Sequence, residues 1–158
     1  MNKNPSSLYT IRFSDCDPFG HLNNGRYIDY FLNAREDHLK ENYELTLKNF
    51  YLQGVSWFVN SHEITYLRPA DYNETVKISS ALIQIAPESL LVEFQMTDEQ
   101  HTHLKSLLWT KFIPVSVKTG KRQNHDDAFM EFAKSIEVAD FDPAKGYKER
   151  LKEIIMKK

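Results

Sequence analysis

One cysteine, five glycines and six prolines are all that the 158 residues contain of those types. The single cysteine, Cys16, excludes an internal disulfide and fits a reducing compartment. Long apolar runs are missing as well. Nothing approaches the roughly 20 consecutive apolar residues of a bilayer crossing, and the polar opening MNKNPSS does not resemble a signal peptide. A cytoplasmic protein without a membrane partner is expected. Charge of one sign is also scarce: the net charge is only −2. No arginine-rich arm or acidic tail offers an electrostatic footprint for nucleic acid. There is no GxGxxG, no phosphate-loop lysine and no GxSxG nucleophile elbow. Of the six histidines, only His101 and His103 share a face at short spacing, so no metal site is expected.

What is present is globular. Apolar residues make up 41%, charged residues 27% and aromatics 13%. That suits one domain with a real core, and the aromatics suit a core, an interface or an apolar ligand site. LYTIRF reads as a short strand with Tyr9, Ile11 and Phe13 on one face. Ile28, Phe31, Leu32, Arg35, Leu39, Tyr43, Leu47 and Phe50 then recur at helical spacing, one stripe of a long helix that frays between Leu47 and Gln53 and is over by Gly54. Strand patterns follow over 55–67, 74–85, 90–97 and 104–117, joined by turns, as in an antiparallel meander. Leu91 interrupts the alternation of the third. In the last, Leu107, Trp109, Ile113 and Val115 face one way and Leu104, Leu108 and Phe112 the other. One sheet face against the long helix and the other against a partner, or a strand buried on both faces, accounts for this. A short helix is expected over 126–134, and an amphipathic C-terminal helix carries Tyr147, Leu151, Ile154 and Ile155, with Lys157 and Lys158 at its end.

The segment FSDCDPFGHLNNGRYIDYF, residues 13–31, crowds acids, a cysteine and a histidine into a turn directly before the helix. The first amides of a helix lack internal partners and carry partial positive charge. A carbonyl placed there would be polarised, and an oxyanion stabilised. Asp17 beside it would attack that carbonyl or draw a proton from water. On these residues alone the structural role is the readier account. Asp15 and Asp17 would then make Asx-turns, Asn23 or Asn24 would cap the helix, and His21 would satisfy a loop backbone group.

DCDPFGHLNNGRYIDYFLNAR resembles the signature of the hot-dog acyl-CoA thioesterases, in the branch like 4-hydroxybenzoyl-CoA thioesterase. YLRPADYNETVKI resembles that family's entry to its third strand, and TKFIPVSVKTGKR its closing strand and turn. The resemblance covers residues 8–134. It implies an α+β fold, a single hot-dog domain in which an antiparallel sheet wraps a long central helix, here with a C-terminal helical extension over 135–158. It implies thioester hydrolysis, with Asp17 as nucleophile or general base and the backbone N–H at Asn24 as oxyanion contact. Gly20 would keep the turn tight, with Gly25 beside the oxyanion position. His21 would orient the turn or touch the thioester, and Tyr27 and Phe31 would line an acyl cavity. It also implies a homodimer or homotetramer with sites at the interface. No metal or redox cofactor enters; coenzyme A is part of the substrate. An acyl group on acyl carrier protein is the alternative substrate. A hot-dog protein that binds acyl chains or assembles without catalysis is the alternative function.

Overall fold

The computed structural model describes residues 1–157; Lys158 lies outside the described residues. Five strands, β1 (Ser6–Thr10), β2 (Val55–Tyr66), β3 (Thr75–Ala86), β4 (Ser89–Asp98) and β5 (Leu104–Ser116), form one sheet. Its spatial order is β1-β3-β4-β5-β2, with every neighbouring pair antiparallel. The expected meander is therefore β3-β4-β5, and the strands before and after the long helix take the two edges. The helices are α1 (Tyr27–Tyr43), α2 (Leu47–Leu52), α3 (Asp127–Ile136) and α4 (Tyr147–Lys157). Among the described residues no helix is long and apolar enough to cross a membrane.

Helix α1 lies on one face of the sheet. Tyr27, Phe31 and Ala34 join Val76 and Ile78 of β3, Val92, Phe94 and Met96 of β4 and Leu108 of β5 in the main core. Phe31 and Phe94 meet with ring centroids 5.5 Å apart. The helical stripe does not run on to Phe50. Glu44 takes a left-handed conformation (φ 55°), and its amide and that of Leu45 turn back onto the Leu39 carbonyl. Thr46 then starts α2, its hydroxyl accepting from the Asn49 amide at 3.2 Å. The apolar period continues across this break, so spacing alone does not reveal it. Strand β1 also stops early: Ile11 is fully buried, but Phe13 lies in a short 3-10 turn and is 78% exposed.

The other face of the sheet is covered by the chain itself rather than by a partner. Tyr147 and Ile154 of α4 pack with Ala81, Ile83, Leu104, Leu107 and Trp109, joined by Val138, Phe141 and Leu151. Leu91 belongs to this second layer and is no interruption: Leu90, Val92, Phe94 and Met96 face α1, while Leu91 and Glu93 face α4. Leu104 shares a side with Leu107 and Trp109, contrary to its parity. The pairing Met96–Ser106 is followed by Thr97–Leu104, so Lys105 is an extra residue that flips the alternation. Its ammonium is held by Glu74 at 3.0 Å and by the Pro69 carbonyl at 2.9 Å.

Candidate active site

The acid-rich turn folds as a small hairpin. Cys16 and Leu22 pair antiparallel. The Asp17 amide donates to the His21 carbonyl at 2.8 Å, and the Asn23 amide to the Asp15 carbonyl at 2.9 Å. The arm bearing Asp17 thus runs beside the arm that leads into the helix. Gly20, at the tip, has φ +81°, a conformation that side chains disfavour. The hairpin is pinned to the segment after β2: Leu22 donates to the Ala70 carbonyl and Tyr72 to the Gly20 carbonyl. His21 pairs with Asp71 by backbone, and its Nε2 lies 3.5 Å from the Asp71 carboxylate. Its side chain is half exposed, so the contact it makes is with this pinning segment.

Asp17 is half-buried. One carboxylate oxygen, Oδ1, accepts from the amides of Phe19 at 2.9 Å and His21 at 3.0 Å. Among the described residues the second oxygen has no partner. Two amides therefore orient the group and leave one oxygen free to react. Cys16 beside it is a poor nucleophile: burial first, then the carboxylates of Asp15, Asp17 and Asp71, pushes its thiol pKa up. Asp15 is engaged elsewhere, accepting from the Tyr30 hydroxyl at 2.6 Å. Burial and this bond push the Tyr30 phenol up to about 12, so it remains a neutral donor.

The chain enters α1 through a 3-10 turn, Asn24–Arg26, closed by the Arg26 amide on the Asn23 carbonyl at 2.8 Å. The amides of Asn24 and Gly25 precede that bond and have no partner within the helix. Neither Asn23 nor Arg26, the residues in cap position, gives a side-chain cap bond. This departs from the capping expected of the asparagines. Asn24 and Gly25 are exposed, and beyond its neighbours along the chain no atom stands within 4 Å of where a Cβ on Gly25 would lie. The helix start is thus open to an oxygen from outside.

Tyr27 and Phe31, expected to line an acyl cavity, lie in the core at 2% and 0% exposure. The Tyr27 hydroxyl accepts from the Ala70 amide at 3.2 Å, and its ring meets Tyr66 edge-on. The apolar cavity is further along α1. It measures about 330 Å³ and is walled by Leu32 and Leu39 of α1, Phe50 of α2, Trp57 of β2, Phe112 of β5 and Phe132 of α3, among others; Tyr27 and Phe31 do not line it. Two residues of consequence escaped sequence reasoning. Tyr66 donates its hydroxyl to the Asn24 carbonyl at 3.0 Å, tying the end of β2 to the helix start. Arg35, read only as a member of the apolar stripe, lines the cavity and is 8% exposed. A cation inside an apolar stripe was the available signal.

Comparison with known proteins identifies the family and the fold. A family model described as thioesterase-like superfamily matches residues 11–144. The chain is 25% identical over 111 residues to the long-chain acyl-CoA thioesterase FadM of Escherichia coli, covering 70% of this chain and 83% of that one. In structure it is similar to a DHNA-CoA thioesterase from Staphylococcus aureus, with TM-score 0.75, 19% identity and coverage of 84% and 87% of the two chains. It is similar also to a 1,4-dihydroxy-2-naphthoyl-CoA thioesterase from Synechocystis, with TM-score 0.74, 13% identity and coverage of 83% and 96%.

Proposed function

The chain belongs to the thioesterase-like superfamily, and on that premise we propose that it hydrolyses acyl-CoA to a free carboxylic acid and coenzyme A. The observation that carries this reading is a hairpin with an oriented carboxylate, one oxygen free, on one arm and an uncapped helix start at the end of the other. The thioester carbonyl rests on the amide of Asn24, with Gly25 leaving room for its approach. Helix-start amides stabilise the negative charge that develops on the carbonyl oxygen. Asp17 attacks the carbonyl carbon or takes a proton from the attacking water. The carbon–sulfur bond breaks and the thiolate leaves, taking up a proton, as coenzyme A; where Asp17 attacks directly, water then hydrolyses the mixed anhydride so formed, which frees the acid and restores the Asp17 carboxylate. His21 acts by holding the turn to Asp71, and Gly20 by keeping it tight.

The acyl group needs apolar space, and in a single chain the hairpin residues do not line the cavity. A second copy resolves this. Strand β2 is an edge of the sheet, with Phe58 and Val59 exposed on it. It runs from Val55, in the cavity wall, to Tyr66, bonded to Asn24. Pairing β2 with its copy antiparallel about a twofold axis brings the helix start of one chain to the cavity of the other. The enzyme is accordingly a homodimer with composite sites.

The test is hydrolysis by the purified protein of a panel of acyl- and aroyl-CoA thioesters, read as thiol release, with matching acyl carrier protein thioesters alongside. Turnover of the CoA panel is expected. No turnover of any member would reject the reading.

A further inference from the structure

Arg35 is a buried cation without an acid. Its Nη1 donates to Ser80 Oγ at 2.9 Å, while the Tyr43 hydroxyl donates to the Asn2 carbonyl at 2.5 Å. Among the described residues no carboxylate lies within ion-pair distance of it. Glu36, the one acid on the cavity wall, is exposed and makes no pair with it. Burial pulls the guanidinium down to about 10, which still leaves it charged at neutral pH.

The neighbouring group offers no compensation. His38 is fully buried, with Nδ1 2.7 Å from the same Ser80 hydroxyl. Arg35 can only donate, so Ser80 Oγ accepts from it and passes its own hydrogen to His38 Nδ1. That places the imidazole proton on Nε2, a buried atom with no partner. Burial, and then the charge of Arg35, pulls His38 down to about 4, so the ring is neutral. One positive charge and one unsatisfied donor are therefore enclosed beside an apolar cavity, where an unpaired charge is costly.

We propose that this cavity is a binding site for an apolar chain that ends in a carboxylate, with the carboxylate paired to Arg35. The walls supply apolar contact along the chain, and the guanidinium has donors to spare after Ser80, enough for a two-point hold on a carboxylate. This goes beyond the hydrolysis proposed above and does not require it. Such a group has two sources: the far end of an acyl substrate that is itself a dicarboxylic acid, or a free fatty acid.

The test is isothermal titration calorimetry of the whole protein at neutral pH with decanoate and with decanol, which share a chain and differ in the charged head. Decanoate is expected to bind about tenfold or more tightly than decanol. Arg35→Met is expected to remove that preference, and Arg35→Lys to retain part of it. Equal affinities in the natural protein would overturn the site, as would an undiminished preference in Arg35→Met. Should Arg35→Met fail to fold, the acid-to-alcohol ratio in the natural protein and in Arg35→Lys decides. Kinetics then separates the sources. A substrate carboxylate makes the monothioester of decanedioic acid a better substrate than decanoyl-CoA, with the gap closing in Arg35→Met. A free acid makes decanoate an inhibitor of the natural protein and not of the variant. The calorimetry needs no turnover, so a failure of the hydrolysis reading and a failure of this one are told apart.

Discussion

Asp17 and His21 hold each other twice: the Asp17 amide donates to the His21 carbonyl at 2.8 Å, and the Asp17 carboxylate accepts from the His21 amide at 3.0 Å. Structural and chemical roles therefore meet in one side chain, and a substitution can separate them. Asn retains the Oδ1 acceptor and loses the charge. Asp17→Asn is expected to keep its denaturation midpoint close to that of the natural protein and to lose about a thousandfold in kcat. Asp17→Ala removes the acceptor too and costs about 1 kcal/mol of stability as well. Chemical denaturation and thiol-release assays on both variants check this. An active Asp17→Asn variant would reduce the carboxylate to a turn-former.

The buried imidazole makes stability depend on pH. His38 is pulled down to about 4 in the folded protein, against about 6.5 when unfolded. Between these values the unfolded chain binds more protons. The stability this group contributes is complete above pH 6.5 and is lost as pH falls towards 4, by up to about 3 kcal/mol. Melting temperatures measured from pH 7 to pH 4.5 are expected to fall, and His38→Gln to flatten that part of the curve. An unchanged slope in the variant would assign the acid sensitivity to other groups.

The C-terminal helix is fastened by a charge. Glu93 is 4% exposed and accepts from Arg150 at 2.8 and 2.9 Å and from Trp109 Nε1 at 2.9 Å. The Arg150 guanidinium also lies over the Phe141 ring. Arg150→Met leaves a buried carboxylate without its cation and is expected to cost about 3 kcal/mol in denaturant unfolding. Adding Glu93→Gln should recover a large part of that loss. If the single variant is as stable as the natural protein, α4 is held by its apolar contacts alone.

The edge of β2 offers a test of assembly. Phe58 is exposed there and lies under the Arg122 guanidinium, 5.5 Å from the ring centroid. Phe58→Glu gives Arg122 an acid partner in the monomer and sets two like charges near each other across paired β2 edges. Light scattering is expected to show a shift from dimer to monomer, with turnover falling about tenfold or more as the composite site is lost. A variant that stays dimeric, or a fully active monomer, would remove β2 from the interface.

Much of this molecule is legible in its residues. Period-two runs locate β2 to β5 to within a residue or so, and the stripe from Ile28 to Tyr43 locates α1, because burial on one face imposes those periods directly. The turn is legible too: an acid, a positive-φ glycine and a helix start are local features. Three matters were decided by the tertiary structure alone. Glu44 ends α1 within an unbroken apolar period, because backbone torsion there answers to packing and not to spacing. Lys105 flips Leu104 to the opposite side, because a bulge depends on where its side chain finds Glu74 and Pro69. Arg35 and His38 were helix residues in the sequence and become a buried cation and a buried imidazole only when β3 brings Ser80 between them. Local periodicity reports which face is buried; what a buried polar group meets is set by residues far away in the chain.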